Sequence, residues 1–198
     1  MGEKIYNTSV LIVGAGPVGL ALALELGLRE IDCLIVEQRD GKVMLPKMNT
    51  VNTRTMEFCR RWGVAAKIKQ AGIGEDYPHD IRFITSMAGY ELLRFRYPTY
   101  RERGKLDYTP EGNCVCSQLW FDPILLERTR AFPHIQVHLR TRLESFSQSE
   151  QNITAELLDA ESNQRKTVRA AYLIGCDGAD SSVREISGIK LHGDPRLN

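Results

Sequence analysis

Three glycines lie between a short apolar run and a segment rich in Ala and Leu. Gly14, Gly16 and Gly19 have the G-x-G-x-x-G spacing, and Glu37 follows a second apolar run. The order strand, tight turn, helix, strand and acid is typical of a dinucleotide-binding unit. Gly14 permits the turn, Gly16 lets the backbone approach a pyrophosphate, and Gly19 lets the helix pack closely on the sheet. The pattern therefore predicts a dinucleotide site.

The helix after these glycines and the acid Glu37 would bind different parts of the ligand. The helix N-terminus presents backbone N–H groups and a positive dipole end to phosphates. The carboxylate of Glu37 can accept hydrogen bonds from two vicinal ribose hydroxyls, and it would repel a 2′-phosphate. The alternative is a Gly-rich turn in another α/β fold. The preceding strand, the following helix and the acid together favour the dinucleotide site.

A second motif follows a later apolar run. The segment Tyr172–Gly175 leads into Asp177-Gly178, and Ser182-x-x-Glu185 then predicts a capped helix. Ligands of α/β sheets lie at the carboxyl ends of the strands. Asp177 could accept a hydrogen bond from a ribose, a ribityl hydroxyl or a nicotinamide cofactor. The alternative is an ordinary turn that uses Asp and Gly for their turn chemistry.

The elements that must position these residues follow from periodicity and turn signals. We predict helices at 17–29, 53–61, 65–70 and 118–130, in addition to the short capped helix after Ser182. Gly63 is a C-cap signal after the second of them, and Pro123 lies early in the helix 118–130. Strands are predicted at 8–13, 33–36, 81–86, 91–97, 135–139, 142–147, 152–158 and 167–174. The stretches 38–52 and 98–113 are predicted loops. Strands alternating with helices predict an α/β domain.

Composition excludes several other classes of protein. The chain has 198 residues and a net charge of +1, with basic residues scattered rather than clustered, so no nucleic-acid partner is expected. The apolar stretch 10–28 contains three glycines, Pro17 and Glu25, which argues against a membrane span. Five irregularly spaced cysteines predict no disulfide framework and no metal site, and they favour a reducing, cytoplasmic compartment.

Four segments in the same order give the chain a specific resemblance. The sequence resembles the FAD-dependent aromatic-ring monooxygenases of the para-hydroxybenzoate hydroxylase and phenol hydroxylase type, as an N-terminal portion. The matching segments are the glycine motif with Glu37, then 45–63, 117–125 and 175–184. A plain NAD-dependent dehydrogenase has no reason to carry the last three, and Lys47, Gln118 and Asp177-Gly178 argue against it.

The resemblance assigns cofactor-binding roles position by position. The segment Gly14, Ala15, Gly16, Pro17, Val18 and Gly19 would hold the FAD pyrophosphate. Glu37 would bind the adenosine ribose with Gln38 beside it, Lys47 would lie near the flavin, and Gln118 would reach the ribityl-phosphate portion. Asp177 and Gly178 would contact FAD and serve productive contact with NAD(P)H. Arg54 is a weaker candidate, because an arginine on a helix surface explains it equally well.

The resemblance also implies the fold, the domains and the reaction. We expect an incomplete Rossmann-like FAD-binding domain, from 1–78 and 114–187, with part of an inserted β-sheet substrate domain, from 79–113 and 188–198. FAD would be the cofactor, NAD(P)H and O₂ the co-substrates, and a phenolic or other aromatic molecule the substrate. The chemistry of this family belongs to the cofactor, so we name no catalytic side chain. A homodimer is expected of the longer form.

The chain also departs from the family pattern. It lacks the downstream Gly-Asp and Ala-x-His motif, because Pro195 and Arg196 follow Gly193-Asp194. It also lacks the long C-terminal helix of the family. We therefore expect an N-terminal piece that binds FAD weakly or not at all and does not hydroxylate. The alternatives are an inactive fragment or non-catalytic dinucleotide-binding module, and another FAD-dependent oxidoreductase of this fold, such as a halogenase or epoxidase.

Overall fold

The computed structural model describes residues 5–193. Their helices are α1 (Pro17–Gly27), α2 (Thr53–Arg61), α3 (Ala65–Ala71), α4 (Tyr100–Arg103), α5 (Gln118–Arg130) and α6 (Ser182–Ile186). Their strands are β1 (Ile5–Val13), β2 (Cys33–Val36), β3 (Thr50–Val51), β4 (Ile81–Ile84), β5 (Glu91–Phe95), β6 (Cys114–Val115), β7 (Ile135–His138), β8 (Thr141–Gln148), β9 (Ile153–Asp159) and β10 (Gln164–Gly175).

A six-stranded sheet in the order β7-β2-β1-β10-β9-β8 contains the strands that carry the motifs. The pairs β7–β2, β2–β1 and β1–β10 are parallel, whereas β10–β9 and β9–β8 are antiparallel. Parallel pairing of β1 with both β2 and β10 brings the carboxyl ends of these three strands to one edge of the sheet. The predicted α/β fold with a Rossmann-like unit is confirmed.

The core of this sheet explains the apolar runs in β2 and in the second half of β1. Leu11 and Val13 of β1 and Val36 of β2 pack in a buried cluster with Leu157 of β9 and Val168 of β10. On α1, Leu20, Ala23 and Leu24 are buried. Each fully buried Leu or Ile side chain contributes about 1.5–3 kcal/mol, so these strands are held firmly where they deliver the loops beyond them.

The chain divides into two compact units. Within the described residues, unit 1 comprises residues 5–44 and 122–193, and unit 2 comprises residues 45–121. The predicted division lies elsewhere, with 79–113 and 188–198 in the substrate domain; its assignment to cofactor and substrate stays a prediction, and Asp194–Asn198 lie outside the described residues. Unit 1 contains the six-stranded sheet with α1 and α6.

Unit 2 is built from short elements. Its strands form two antiparallel pairs, β3 with β6 and β4 with β5. Met56 and Cys59 of α2 and Ile68 of α3 are fully buried. On the β4–β5 hairpin the register places Ile81 opposite Phe95. Both of these side chains are exposed.

The structure corrects several local predictions. The predicted loop 38–52 contains strand β3, and the predicted loop 98–113 contains α4, whose capping box joins Thr99 and Glu102. The last helix is capped by Ser181, not by Ser182, because the Ser181 side chain accepts from the N–H of Arg184. The S-x-x-E spacing to Glu185 favours Ser182, whereas the extended backbone of an N-cap is found at Ser181.

Helix α5 spans the predicted residues 118–130, but Pro123 lies deeper inside it than predicted. It begins at Gln118, so Pro123 is its sixth residue and lies inside the helix rather than in its first turn. A proline there removes one backbone N–H from the helix ladder.

Among the described residues, no helix is long and apolar enough to cross a membrane.

Candidate functional site

The turn after β1 requires glycine at its first position. Gly14 has φ +104°, a conformation that side chains other than glycine rarely adopt. A Cβ there would lie 2.5 Å from the carbonyl oxygen of Cys176. The N–H of Gly14 donates to the carbonyl of Val36 over 2.8 Å. Gly14 therefore lets the chain turn tightly between its neighbouring strands.

The other two glycines have opposite surroundings. A Cβ on Gly19 would overlap the carbonyl oxygen of Gly14, so the start of α1 packs directly on the turn. A Cβ on Gly16 would meet no atom within 4 Å. Gly19 is therefore required by the fold. At Gly16 the fold itself makes no such demand, and the open space beside its backbone is what a bound group would use.

The N-terminus of α1 supplies the donors that an anion needs. Gly16 is its N-cap, no side chain caps it, and Pro17 occupies the first turn. The first backbone N–H groups of a helix have no partner within the helix. Val18 is 68% exposed, so this end of the helix lies open to solvent. An uncapped helix end beside an open glycine fits the pyrophosphate of a dinucleotide.

Glu37 is tied to this turn. Its Oε2 accepts from the N–H of Ala15 over 3.0 Å, and its Oε1 accepts from the N–H of Arg39 over 2.9 Å. Each carboxylate oxygen keeps a further lone pair for a ligand hydroxyl. Gln38, the next residue, is exposed. The acid therefore lies at the same edge of the sheet as the glycine turn.

The Asp177-Gly178 turn follows β10 at that edge. The N–H of Cys176 donates to the carbonyl of Val13 over 2.7 Å, which joins the two turns. The carboxylate of Asp177 accepts from the Ser181 hydroxyl over 2.6 Å and from the N–H of Val183 over 3.1 Å. Gly178 has φ +86°, which turns the chain away. Asp177 thus organises its own turn with two hydrogen bonds.

Unit 2 brings Lys47 and Gln118 together from positions 71 residues apart. The backbone N–H of Lys47 donates to Oε1 of Gln118 over 2.8 Å. The backbone N–H of Gln118 donates to the carbonyl of Met48 over 3.1 Å. The structure therefore places these two predicted residues in one cluster, and it places the glycine turn, Glu37 and Asp177 in another, within unit 1.

Arg54 has contacts that a residue on a helix surface would make. Its guanidinium forms an ion pair with Glu57 over 2.8 Å and lies 4.8 Å from the centre of the Phe58 ring. Three quarters of its side chain is exposed.

Buried polar residues ahead of β6 were missed by the sequence reasoning. Thr109 and Glu111 are only 7% and 5% exposed, although they lie in a predicted loop. Glu111 forms ion pairs with Arg60 over 3.3 Å and with Lys69 over 2.5 Å. These partners are 51 and 42 residues away in the chain, so no local pattern announces them.

Burial controls the chemistry of the cysteines. It raises the pKa of the Cys59 thiol to about 12 and the pKa of the Cys33 thiol to about 11. The pKa of Cys176, beside the glycine turn, is raised by burial and by the neighbouring Asp177 carboxylate. Among residues 5–193 no group of three or more His, Cys, Asp or Glu side chains is arranged to hold a metal ion.

Comparison with known proteins agrees with this geometry. Residues 7–197 match the model of the FAD binding domain family. The rebeccamycin biosynthetic enzyme RebC, solved with reduced flavin, superposes with a TM-score of 0.87 and is 39% identical over 93% of this chain and 35% of that one. The flavin-dependent monooxygenase PieE, solved with FAD and substrate, gives a TM-score of 0.87 at 30% identity over 95% of this chain and 33% of that one.

Curated relatives of similar sequence are also hydroxylases or monooxygenases. A putative polyketide hydroxylase of Streptomyces halstedii is 33% identical over 97% of this chain and 34% of its own length. Phenol 2-monooxygenase of Pseudomonas sp. (strain EST1001) is 30% identical over 91% of this chain and 30% of its own length. The fold and site define an FAD-binding α/β domain of the type found in aromatic hydroxylases. The chain belongs to the FAD binding domain family and spans about a third of the length of these relatives.

Proposed function

We propose that this chain is the FAD-binding portion of a flavoprotein monooxygenase. The observation that carries the proposal is the uncapped N-terminus of α1 at Gly16, where open space adjoins the backbone and Glu37 is fixed to the same turn. The backbone from Gly14 to Gly19 would hold the pyrophosphate. Glu37 would hold the adenosine ribose, with Gln38 beside it.

The remaining candidate residues extend the same proposal. Asp177 and Gly178, at the end of β10, would contact the ribityl portion of FAD and serve the productive approach of NAD(P)H. Lys47 would lie near the flavin, and Gln118 would reach the ribityl-phosphate portion. The hydrogen bond between Lys47 and Gln118 supports treating these two as one group. FAD, when bound, supplies the redox chemistry, and the protein supplies binding and orientation.

The reaction we propose for the longer enzyme that contains this portion is hydroxylation of an aromatic ring. One oxygen atom of O₂ replaces a ring hydrogen as a hydroxyl group, and the other leaves as water. NAD(P)H supplies a hydride and the medium a proton, so NAD(P)⁺ is formed. The names of the relatives, a phenol monooxygenase and a polyketide hydroxylase, support a phenolic or polyketide aromatic substrate. We further propose a cytoplasmic protein whose longer form is a homodimer; the five free cysteines support a reducing compartment.

The first experiment is a titration of the purified chain with FAD, followed by flavin fluorescence and absorbance, with NAD⁺ as the comparison ligand. We expect weak binding of FAD by this chain, tighter binding once it is joined to the C-terminal portion of a relative, and no competition from NAD⁺ at equal concentration. If neither this chain nor the chain joined to the C-terminal portion of a relative binds FAD, the proposal is wrong. If NAD⁺ binds more tightly than FAD, the dehydrogenase alternative is supported instead.

A second candidate function is FAD binding without hydroxylation. The observation that favours it is the β4–β5 hairpin, where Ile81, Phe83, Leu93 and Phe95 are each about half exposed. Apolar side chains in this number normally lie against further protein. Phenol-dependent oxidation of NADH or NADPH, with the hydroxylated product detected by mass spectrometry, distinguishes the two. Product from this chain, alone or joined to the C-terminal portion of a relative, would exclude the second candidate, and FAD binding without product in both forms would support it.

A further inference from the structure

A buried carboxylate, Glu111, is held by partly exposed cations in unit 2, outside the residues assigned to the cofactor. We define the loop clamp as Thr109 and Glu111 of the loop before β6 together with their partners Glu57 and Arg60 on α2 and Lys69 on α3. Glu111 is 5% exposed, and its two carboxylate oxygens face Arg60 and Lys69. A buried carboxylate with a cation on each oxygen is costly to disturb, because losing one partner leaves charge without compensation.

Thr109 adds a second attachment to the same helix. Its hydroxyl donates to Oε1 of Glu57 over 2.7 Å and accepts from the N–H of Glu111 over 3.3 Å. The pKa of Glu57 is lowered by hydrogen bonds from Arg54 and from this hydroxyl. The loop has no regular secondary structure between Gly104 and β6. Side-chain hydrogen bonds and ion pairs therefore hold it in place, where backbone hydrogen bonds would hold a strand.

The clamp lies directly ahead of β6 and Gln118. Only two residues separate Glu111 from Cys114, the first residue of β6. Strand β6 pairs with β3, and the carbonyl of Val115 accepts from the N–H of Ile73 over 3.0 Å. Gln118 follows two residues after Cys116 and bonds to Met48 and to Lys47. One end of this short extended segment is thus held by Glu111, and the other carries Gln118.

We infer that Glu111 is a positioning residue for Gln118. Its ion pairs fix the segment before Gln118 to α2 and α3, so that the side-chain oxygen of Gln118 keeps its hydrogen bond with the backbone N–H of Lys47. The inference rests on the proposed function for the role of Gln118, but the positioning itself does not need the cofactor. Substitution of Glu111 by Gln leaves Arg60 and Lys69 facing a neutral group. Strand β6 then loosens, and the bonds of Gln118 open more often.

The test begins without cofactor. Amide hydrogen exchange is measured in the parent chain, in Glu111→Gln, and in the control Asp107→Asn, which removes an exposed carboxylate from the same loop. We expect Glu111→Gln to speed exchange of the backbone N–H of Gln118, which donates to Met48, about tenfold. We expect no change at the backbone N–H of Gly14 in unit 1, and none at either position in the control. Unchanged exchange at Gln118, or equal acceleration at Gly14, would overturn the inference.

The role in cofactor binding is tested by a double-mutant cycle with FAD as the probe. Glu111→Gln is expected to raise the Kd for FAD about fivefold when Gln118 is present and to have no effect in the Gln118→Ala background, because the two residues act in series. Equal losses in both backgrounds would contradict action through Gln118. A parent chain that binds no FAD would contradict the proposed function, and the exchange measurement would then decide the positioning by itself.

Discussion

The N–H of Ala15 donates to Oε2 of Glu37 over 3.0 Å, although the two residues are 22 positions apart. The bond joins the turn after β1 to the residue after β2. It therefore fixes the acid with respect to the backbone that would meet a pyrophosphate. The residues proposed to bind the ribose and the pyrophosphate are thereby joined at one edge of the sheet.

Alanine substitutions at Gly16 and Gly19 are expected to affect different quantities, cofactor affinity at Gly16 and stability at Gly19. Gly16→Ala adds a methyl group in open space at an extended backbone position (φ −73°), so we expect the free energy of unfolding to stay within about 1 kcal/mol of the parent value. The Kd for FAD should rise at least about tenfold, because the methyl occupies the space next to the backbone. Urea unfolding and flavin fluorescence measure the two quantities.

Gly19→Ala is the matched comparison. Its methyl would overlap the carbonyl oxygen of Gly14, so the start of α1 must move away from the turn. We expect the free energy of unfolding to fall by about 1–3 kcal/mol, the usual range for overpacking. If Gly19→Ala is as stable as Gly16→Ala, the close packing of α1 on the turn is wrong.

Glu37→Gln tests the acid. The amide keeps the size of the side chain but removes the charge that strengthens its hydrogen bonds to hydroxyl and N–H donors. We expect the Kd for FAD to rise about tenfold, which corresponds to about 1.4 kcal/mol. Glu25→Gln, which weakens the ion pair of this α1 carboxylate with Arg29, is the control and should leave the Kd unchanged. Equal effects of the two substitutions would show that Glu37 has no special role.

Asp32 makes stability depend on pH. Hydrogen bonds from the side chain and backbone N–H of Ser9 lower its pKa below the ordinary value of 3.8. Because the folded pKa is the lower one, its stabilisation is complete above about pH 5 and is lost as the pH falls through about 4 and below. In Asp32→Asn this part of the pH dependence should disappear. Urea unfolding of both chains from pH 7 to pH 3 measures it, and parallel curves would contradict it.

Adjacent serines give a sharp test of the α6 cap. The Ser181 side chain accepts from the N–H of Arg184 over 3.0 Å and donates to Asp177. Ser181→Ala should therefore lower the free energy of unfolding by about 1 kcal/mol, and Ser182→Ala should change it by less than half of that. Thermal unfolding followed by circular dichroism compares them. A larger loss in Ser182→Ala would restore the cap that the sequence pattern predicted.

Buried thiols should be inert in the folded chain. The pKa of Cys59 is raised to about 12 and that of Cys116 to about 11 by burial, so thiolate is scarce near neutral pH. At pH 8 we expect iodoacetamide to modify these two cysteines at least about a hundredfold more slowly in buffer than in 8 M urea. Peptide mass spectrometry reads each site. Rapid modification of Cys59 without urea would show that unit 2 opens readily.

Much of unit 1 could be predicted from the sequence because its signals are local. The glycine spacing at Gly14–Gly19 and the apolar runs of β1, β2 and β10 each lie within a few residues, where backbone sterics and side-chain periodicity act. The same holds for the α/β fold, which is confirmed. The predicted cap of α6 was wrong, because the S-x-x-E spacing pointed to Ser182, whereas the backbone conformation places the cap at Ser181.

What the sequence by itself determined is the order of the elements, the glycine turn and the acid that follows β2. Only the tertiary structure decided that Glu37 bonds to Ala15, that Gln118 bonds to Lys47, and that Glu111 is buried between Arg60 and Lys69. These contacts join residues 22 to 71 positions apart. Their partners are selected by the pairing of strands and the packing of helices, and no short stretch of sequence records that selection.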